Sequence, residues 1–369
     1  MNIVFISLLG IDGIGGVQRS IINRANYLAD EGNNVVIIND YGTDEYSEKI
    51  NSKIQIITHF LTKKEVKPLY IFRKNIELIK RNKADVVFVP AGVTLKELLL
   101  PFFIPKNVKI INEIRGSYHA YMKPWTIKND IKQQRVRKFL GYLYHYYFLL
   151  PFLLRFFYRV VLLTKEDKRL WKLPNAVVIN NFNANKKEVY KHKEKICFAI
   201  TVGRIHPEKG FKALIDIWKI VVCKNPDLIL HIYGDGALKT TLEEYVLKEN
   251  LQNNIFFMGK SFNMLAQYNT GSVFCTCTYT EGFSNVIIEA QNCGLPVISY
   301  NAPNGPGEII NHGKDGFLCP IGDLEQFADY ILLLANDNDL LEKMSENAIE
   351  NVKRFDEEKI MQQWQALIK

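Results

Sequence analysis

The sequence predicts an α/β chain of two Rossmann-like, doubly wound domains facing each other across a cleft. Three observations predict it. The chain has 369 residues, 47% of them apolar and 23% charged, enough for about two globular domains at roughly 100 to 200 residues each. Short β-branched runs alternate with helical stretches, the pattern of parallel sheets buried on both faces. That alternation is interrupted once, by a polar charged stretch, and then begins again.

In the first half the runs are IVFIS (3–7), VVIIN (35–39), IQIIT (54–58), DVVFV (85–89), KIINEI (109–114), RVVLLT (159–164) and AVVIN (176–180). Between the first two, Ile21, Ile22, Ala25, Leu28 and Ala29 share one helical stripe that Gly32 ends. The stretch NANKKEVYKHKEK (183–195) holds few apolar residues, and a fresh strand, ICFAITVG, follows it directly. The expected division is therefore a first domain over 1–185, a linker over 186–195 and a second domain over 196–369, with the final helix near 355–369 packing back on domain one. The second domain repeats the strand pattern in LILHIYG (228–234), NIFFMG (254–259), SVFCTCTY (272–279), PVISY (296–300) and GFLCP (316–320). Glycines close several strand ends, at Gly203, Gly234 and Gly259, where open α/β sheets bind ligands.

Composition excludes several classes. Aromatic residues make up 12% of the chain and no tract is of low complexity, which removes disordered and fibrous architectures. The six cysteines form no CxxC pair and no zinc-type spacing, so a disulfide framework and a zinc site are not expected. Cys275 and Cys277 alternate in an apolar run and read as buried thiols of a cytosolic protein. Residues 1–10 lack a basic leader and a cleavage site and read as a first strand, not a signal peptide. The net charge of +8 is concentrated: residues 123–172 hold twelve Lys or Arg against Asp130, Glu166 and Asp167, a net of +9.

Dinucleotide and nucleoside-triphosphate templates fail. The loop from Gly10 to Gln18 departs from GxGxxG because Gln18 stands where the third glycine belongs, and there is no GxxxxGK[ST]. Asp40 imitates a ribose-binding acid but, without the glycine frame, reads as a solvated strand-end acid. Gly15 and Gly16 open the first helix, where either a tight turn or a ligand contact explains them. More specific is Gly203-Arg204-Ile-His206-Pro-Glu-Lys209-Gly210, which puts two cations at a strand end. An arginine fork and a lysine point charge together suit a diphosphate. In Glu281-Gly282-Phe283-Ser284-Asn285-Val-Ile-Ile-Glu289, a helix starting near Ser284 would aim the amides of residues 283–285 at a phosphate. The two glutamates would then flank it to take sugar hydroxyls.

These residues carry a resemblance to the family 4 glycosyltransferases, retaining nucleotide-sugar enzymes of the GT-B fold. The matching pieces are GGVQR (15–19), VGRIHPEKG (202–210), IYGDG (232–236), EGFSNVIIEA (281–290), GLPVIS (294–299) and GEIINHGKDGFL (307–318). The resemblance implies that Arg204 and Lys209 hold the donor diphosphate, that Glu281 contacts the transferred sugar and that Glu289 takes the ribose. Residues 283–285 would supply backbone donors, and the base would lie near Gly259. Where family members often place a histidine or aspartate near the reacting sugar, this chain has Arg115, with His119 four residues on; either is a candidate. Asp337-Asn338-Asp339 imitates the DxD metal site of the other glycosyltransferase fold but reads as a helix cap. No metal or cofactor is therefore expected beyond the nucleotide-sugar co-substrate.

The aromatic segment 139–158 is broken by His145, Pro151 and Arg155 and does not read as a spanning helix. With its basic flanks it reads either as a peripheral dock on an anionic membrane or as domain-one core. A nucleic-acid face fits less well, because aromatics and cations do not interleave. The expected activity is hexosyl transfer from a UDP-linked sugar to a glycan or lipid-linked saccharide in surface polysaccharide synthesis, at the cytoplasmic face of the inner membrane. The alternatives are an epimerase or phosphorylase of the same fold, or a silent nucleotide-sugar binder.

Overall fold

A computed structural model describes residues 1–7, 11, 16–42, 50–60, 68–90, 94–118, 148–183, 198–261 and 263–369. Contacts divide the chain into unit 1, Met1–Asn181 with Glu358–Lys369, and unit 2, Phe182–Glu357. The expected linker, 186–195, lies outside the described residues.

Unit 1 runs β1 (Asn2–Ser7), α1 (Gly16–Asp30), β2 (Asn34–Asn39), β3 (Gln55–Thr58), α2 (Pro68–Arg81), β4 (Val86–Pro90), α3 (Leu95–Leu98), β5 (Lys109–Ile114), α4 (Leu150–Leu154), β6 (Arg159–Leu162), α5 (Lys165–Trp171) and β7 (Ala176–Val178). Its sheet has the order β3-β2-β1-β4-β5-β6-β7, and every pairing is parallel. Ile3, Val4, Phe5 and Ile6 are all buried, so β1 is covered on both faces, as its unbroken apolar run requires. The expected stripe of α1 is buried as predicted, and Arg24 is buried with it. Gly32, at φ +82°, ends that helix in the left-handed region. Thr164 caps α5 by accepting from the Asp167 amide.

Unit 2 repeats the plan with β8 (Ala199–Val202), α6 (Phe211–Lys224), β9 (Leu230–Tyr233), α7 (Lys239–Lys248), β10 (Ile255–Gly259), α8 (Met264–Tyr268), β11 (Val273–Thr276), α9 (Asn285–Asn292), β12 (Val297–Tyr300), α10 (Pro306–Ile309), β13 (Gly316–Cys319), α11 (Leu324–Asn336) and α12 (Asn338–Val352). The closing helix α13 (Glu357–Ile368) clusters with unit 1 from Glu358 onward. The second sheet has the order β10-β9-β8-β11-β12-β13, again parallel throughout. Strand order reverses next to β1 in one sheet and next to β8 in the other, and crevices for ligands open at such points. Trp218 of α6 and Phe327 of α11 are fully buried in one core with Cys275, Cys277 and Cys319.

One sequence reading is overturned. Asp40 is not solvated but buried at the end of β2, ion-paired to Lys96 and accepting from Asn75 Nδ2 at 3.2 Å. A charge at that depth needs a partner, and Lys96 comes from α3, more than fifty residues away.

Candidate active site

Unit 2 builds its site from loops at the carboxyl ends of β8, β9 and β11. The Gly203 amide donates to the Tyr233 carbonyl, the Gly234 amide to Gly259 and the Ile205 amide to Asp235, at 2.8–3.0 Å. Packing leaves no space for side chains at two glycines of this lattice. A methyl on Gly234, at φ +138°, would lie 1.9 Å from the Gly203 carbonyl oxygen, and one on Gly236 would lie 2.3 Å from that of Ile205. IYGDG is therefore a packing motif that brings the β8 and β9 exits together.

A 3-10 turn, Pro207–Lys209, then leads to Gly210, which enters α6 at φ +65°. Gly210 sits so close to β11's exit that a methyl there would lie 2.0 Å from the Cys277 carbonyl oxygen. The Glu208 carbonyl accepts from the Tyr279 amide at 2.9 Å and from the Thr278 hydroxyl at 3.3 Å. These contacts pin the two loops together and bring Lys209 Nζ to 2.6 Å from Glu281 Oε1. Both side chains remain about a fifth exposed, so solvent or a ligand can reach them.

Past Glu281 the chain turns tightly into α9. Phe283 is buried against Phe355 at 5.5 Å and anchors the loop. Ser284 is the N-cap residue, but at φ +73° its hydroxyl makes no capping bond. Gly305, at φ +51°, presses against this loop, where a methyl would stand 3.2 Å from Glu281 Cβ and 3.1 Å from the Phe283 carbonyl oxygen. One helical turn into α9, Glu289 accepts from the Tyr268 hydroxyl at 3.1 Å.

The structure thus groups Lys209, Glu281, Gly282, Phe283, Ser284 and Asn285. Gly203 and Gly259 close the neighbouring strands, and Glu289 lies along α9. Arg204 stands apart from the pinned pair: its side chain is exposed and paired with Glu208 at 2.8 Å. Sequence reading missed Gly305, Glu208 and Tyr268. The turn composition of NAPNGPG (301–307) was the signal for Gly305, and the other two act through a backbone carbonyl and a distant hydroxyl that no local pattern marks.

In unit 1, Gly16 opens α1, while Gly15 and His119 lie outside the described residues. Arg115 follows β5 with its side chain buried, ion-paired to Glu113 and donating to Asn181 Oδ1 at 2.6 Å. Glu113 also meets Arg24 at 2.7 Å. The Arg24 guanidinium lies 4.1 Å from the centroid of the Trp364 ring on α13 and 5.1 Å from that of Phe88. Burial lowers its pKa to about 10, against the opposing pull of Glu113. Burial alone would raise Glu113, but Arg115 and Arg24 outweigh it and hold the carboxyl below its usual range.

A family model described as glycosyl transferases group 1 matches residues 182–351. An uncharacterised glycosyltransferase of Methanocaldococcus jannaschii is 32% identical over 357 residues, covering 94% of this chain and 92% of its own length. The chain belongs to the group 1 glycosyltransferases, family 4. The amylovoran biosynthesis glycosyltransferase AmsD of Erwinia amylovora is 29% identical over 220 residues, 57% of this chain and 62% of that one. Among solved structures, a TarM variant from S. aureus in complex with fondaparinux, alpha-GlcNAc-glycerol and UDP superposes with a TM-score of 0.78 at 14% identity, covering 100% of this chain and 99% of that one. That likeness shows the GT-B fold. For this glycosyltransferase, the motif residues quoted from 202–210 and 281–290 are those gathered at one end of the second sheet.

Proposed function

We propose that this glycosyltransferase is a retaining hexosyltransferase that takes its sugar from a UDP-linked donor seated on unit 2. Its acceptor is a glycan or lipid-linked saccharide bound by unit 1 in surface polysaccharide synthesis. The observation that carries the reading is the Lys209–Glu281 pair, pinned by two loops next to the start of α9. Relatives named for polysaccharide synthesis and a UDP-bound structural neighbour support the substrate classes.

When the donor enters, Lys209 turns from Glu281 to the diphosphate, and Arg204, exposed on its loop, joins it. The backbone amides of residues 283–285 add fixed dipoles where leaving-group charge develops, so little reorganisation is needed as the bond breaks. Released from Lys209, Glu281 accepts hydroxyls of the transferred sugar, and Glu289 those of the ribose. Transfer proceeds without a metal, since Lys209 and Arg204 carry the neutralising charge. Asp337 of the DxD look-alike instead caps α12 by accepting from the Leu340 amide at 2.9 Å. The Arg24–Glu113–Arg115 network fixes the end of β5, and either Arg115 or His119 is the candidate to meet the donor sugar. The enzyme works as a peripheral protein on the cytoplasmic face of a membrane.

A melting-temperature panel tests the donor reading. A nucleotide at one hundred times its Kd stabilises by about 2.7 kcal/mol. UDP and one or more UDP-hexoses should raise the midpoint while NAD leaves it unchanged. No response to any nucleotide sugar would overturn the donor site, and a product with inverted anomeric configuration would overturn retention.

A further inference from the structure

A peripheral enzyme needs a surface that meets the lipid, and residues 123–172 read from sequence either as that surface or as domain-one core. Of that window the structure describes 148–172, and its two ends differ. Around α5 the surface is basic: Arg169 reaches Glu166, while Asp167 is buried beside Thr164. Around α4 the surface is apolar. Phe148, Phe152 and Phe156 recur every fourth residue and stand 67%, 55% and 47% exposed, while Leu150, Leu153, Leu154 and Phe157 are buried in the core.

A second, sequence-distant segment completes this surface. The 3-10 turn Leu100–Phe102 carries Phe102, and Phe103 follows; each is 51% exposed. Phe102 lies 4.8 Å from Phe156, which lies 5.3 Å from Phe152, ring centroid to centroid. Three half-exposed phenylalanines from two segments, Phe102, Phe152 and Phe156, thus form one ring cluster on unit 1, with Phe148 four residues before Phe152, while the Phe103 ring meets Phe72 edge-on at 5.3 Å. Fully burying such a ring is worth about 1.5–3 kcal/mol, so a contiguous group left in water marks a contact surface.

Charge and polarity indicate the partner. Residues 99–109 and 148–160 together contain Lys106, Lys109, Arg155 and Arg159 and no Asp or Glu. Lys106 and Arg155 are exposed, while Lys109 and Arg159 lie against the ring of half-exposed Tyr158. Within these segments only Asn107 and Tyr158 add an uncharged polar side chain. A protein interface takes about one hydrogen bond per 100–200 Å², which this composition does not provide. An acyl boundary under anionic headgroups asks for bulky rings and cations alone.

We propose that the Phe102, Phe152 and Phe156 cluster inserts into the acyl boundary of an anionic phospholipid bilayer, with Lys106 and Arg155 on the headgroup phosphates. This rests on the peripheral placement given above and adds the Leu100–Phe102 turn to the aromatic segment. The full chain is floated with vesicles of phosphatidylcholine alone or with phosphatidylglycerol. Wild type should bind the mixed vesicles and lose binding at high salt. The double variant Phe152→Glu/Phe156→Glu should bind at least tenfold more weakly with an unchanged melting midpoint, and Lys106→Glu/Arg155→Glu should flatten the salt dependence. Should the glutamates unfold the chain, Phe152→Trp decides instead: its emission should shift blue on mixed vesicles and be quenched by acyl-brominated lipid. Wild type that ignores both vesicles overturns the peripheral placement itself. Wild type that binds while the glutamate variant binds equally, or a Phe152→Trp emission that vesicles leave unchanged, overturns this surface alone, as would a wild-type dimer that the glutamates dissociate.

Discussion

Replacing Gly234 by Ala tests whether close glycine packing holds the loops that follow β8 and β9 together. At φ +138° an alanine is strained, at about 1–3 kcal/mol. Its methyl would lie 1.9 Å from the Gly203 carbonyl oxygen, a backbone atom that cannot step aside alone. Overpacking of that kind adds about 1–3 kcal/mol. A loss of about 3 kcal/mol is therefore expected, on the order of 10 °C in midpoint for a unit of this size. Gly203→Ala is the control. Its methyl would meet nothing nearer than Phe211 Cζ at 3.6 Å and its φ is not positive, so it should be neutral or gain a few tenths of a kcal/mol from the stiffer unfolded chain. Urea titrations followed by circular dichroism compare the two. The reasoning fails if Gly234→Ala lies within about 0.5 kcal/mol of wild type, or if Gly203→Ala is equally damaging.

Four further outcomes are expected. Lys209→Met and Arg204→Met should each lower kcat by about a hundredfold or more, as loss of a preorganised charge does; near-normal turnover in both would remove them from the leaving-group site. Transfer should survive EDTA, and a chelated enzyme rescued by Mn²⁺ would reveal a metal requirement. Among the described cysteines only Cys223 is exposed, and burial pushes Cys293 and Cys319 up to about 12; a thiol reagent should label Cys223 fast and the buried thiols only on unfolding, as peptide mapping would show. Burial also holds His231 below the ordinary imidazole value of 6.5, so the unfolded chain takes up that proton first. Stability should then fall as pH drops below 6.5, and His231→Phe should shallow that slope in melts taken from pH 7.5 to 5.

The fold was legible because buried parallel strands cannot alternate. VVIIN (35–39) and PVISY (296–300) became β2 and β12 almost residue for residue, since both faces of each are covered. Ends were read long where the apolar run outlasts the pairing, as in AVVIN, where β7 stops at Val178. The Lys209–Glu281 cluster was legible from its motifs, but the contacts that pin it are backbone carbonyls and absent methyl groups. Arg24 was missed because a cation on a helical stripe reads as an outlier until Glu113 and Trp364, far along the chain, neutralise and cover it. Asp40 was misread for the same reason, its partner Lys96 being invisible to local patterning.

The capture of Trp364 by Arg24 has a consequence for biosynthesis. Unit 1 leaves off at Asn181 and is completed only by residues after Glu357, so its aromatic cage lacks a wall while unit 2 is being translated. At roughly 5 to 20 residues per second that gap lasts about 10 to 40 s. Until Trp364 is made, Arg24 lacks the ring that covers it in the finished fold. Chaperone dependence and sensitivity to stalled translation should therefore concentrate in the half of the protein that emerges first.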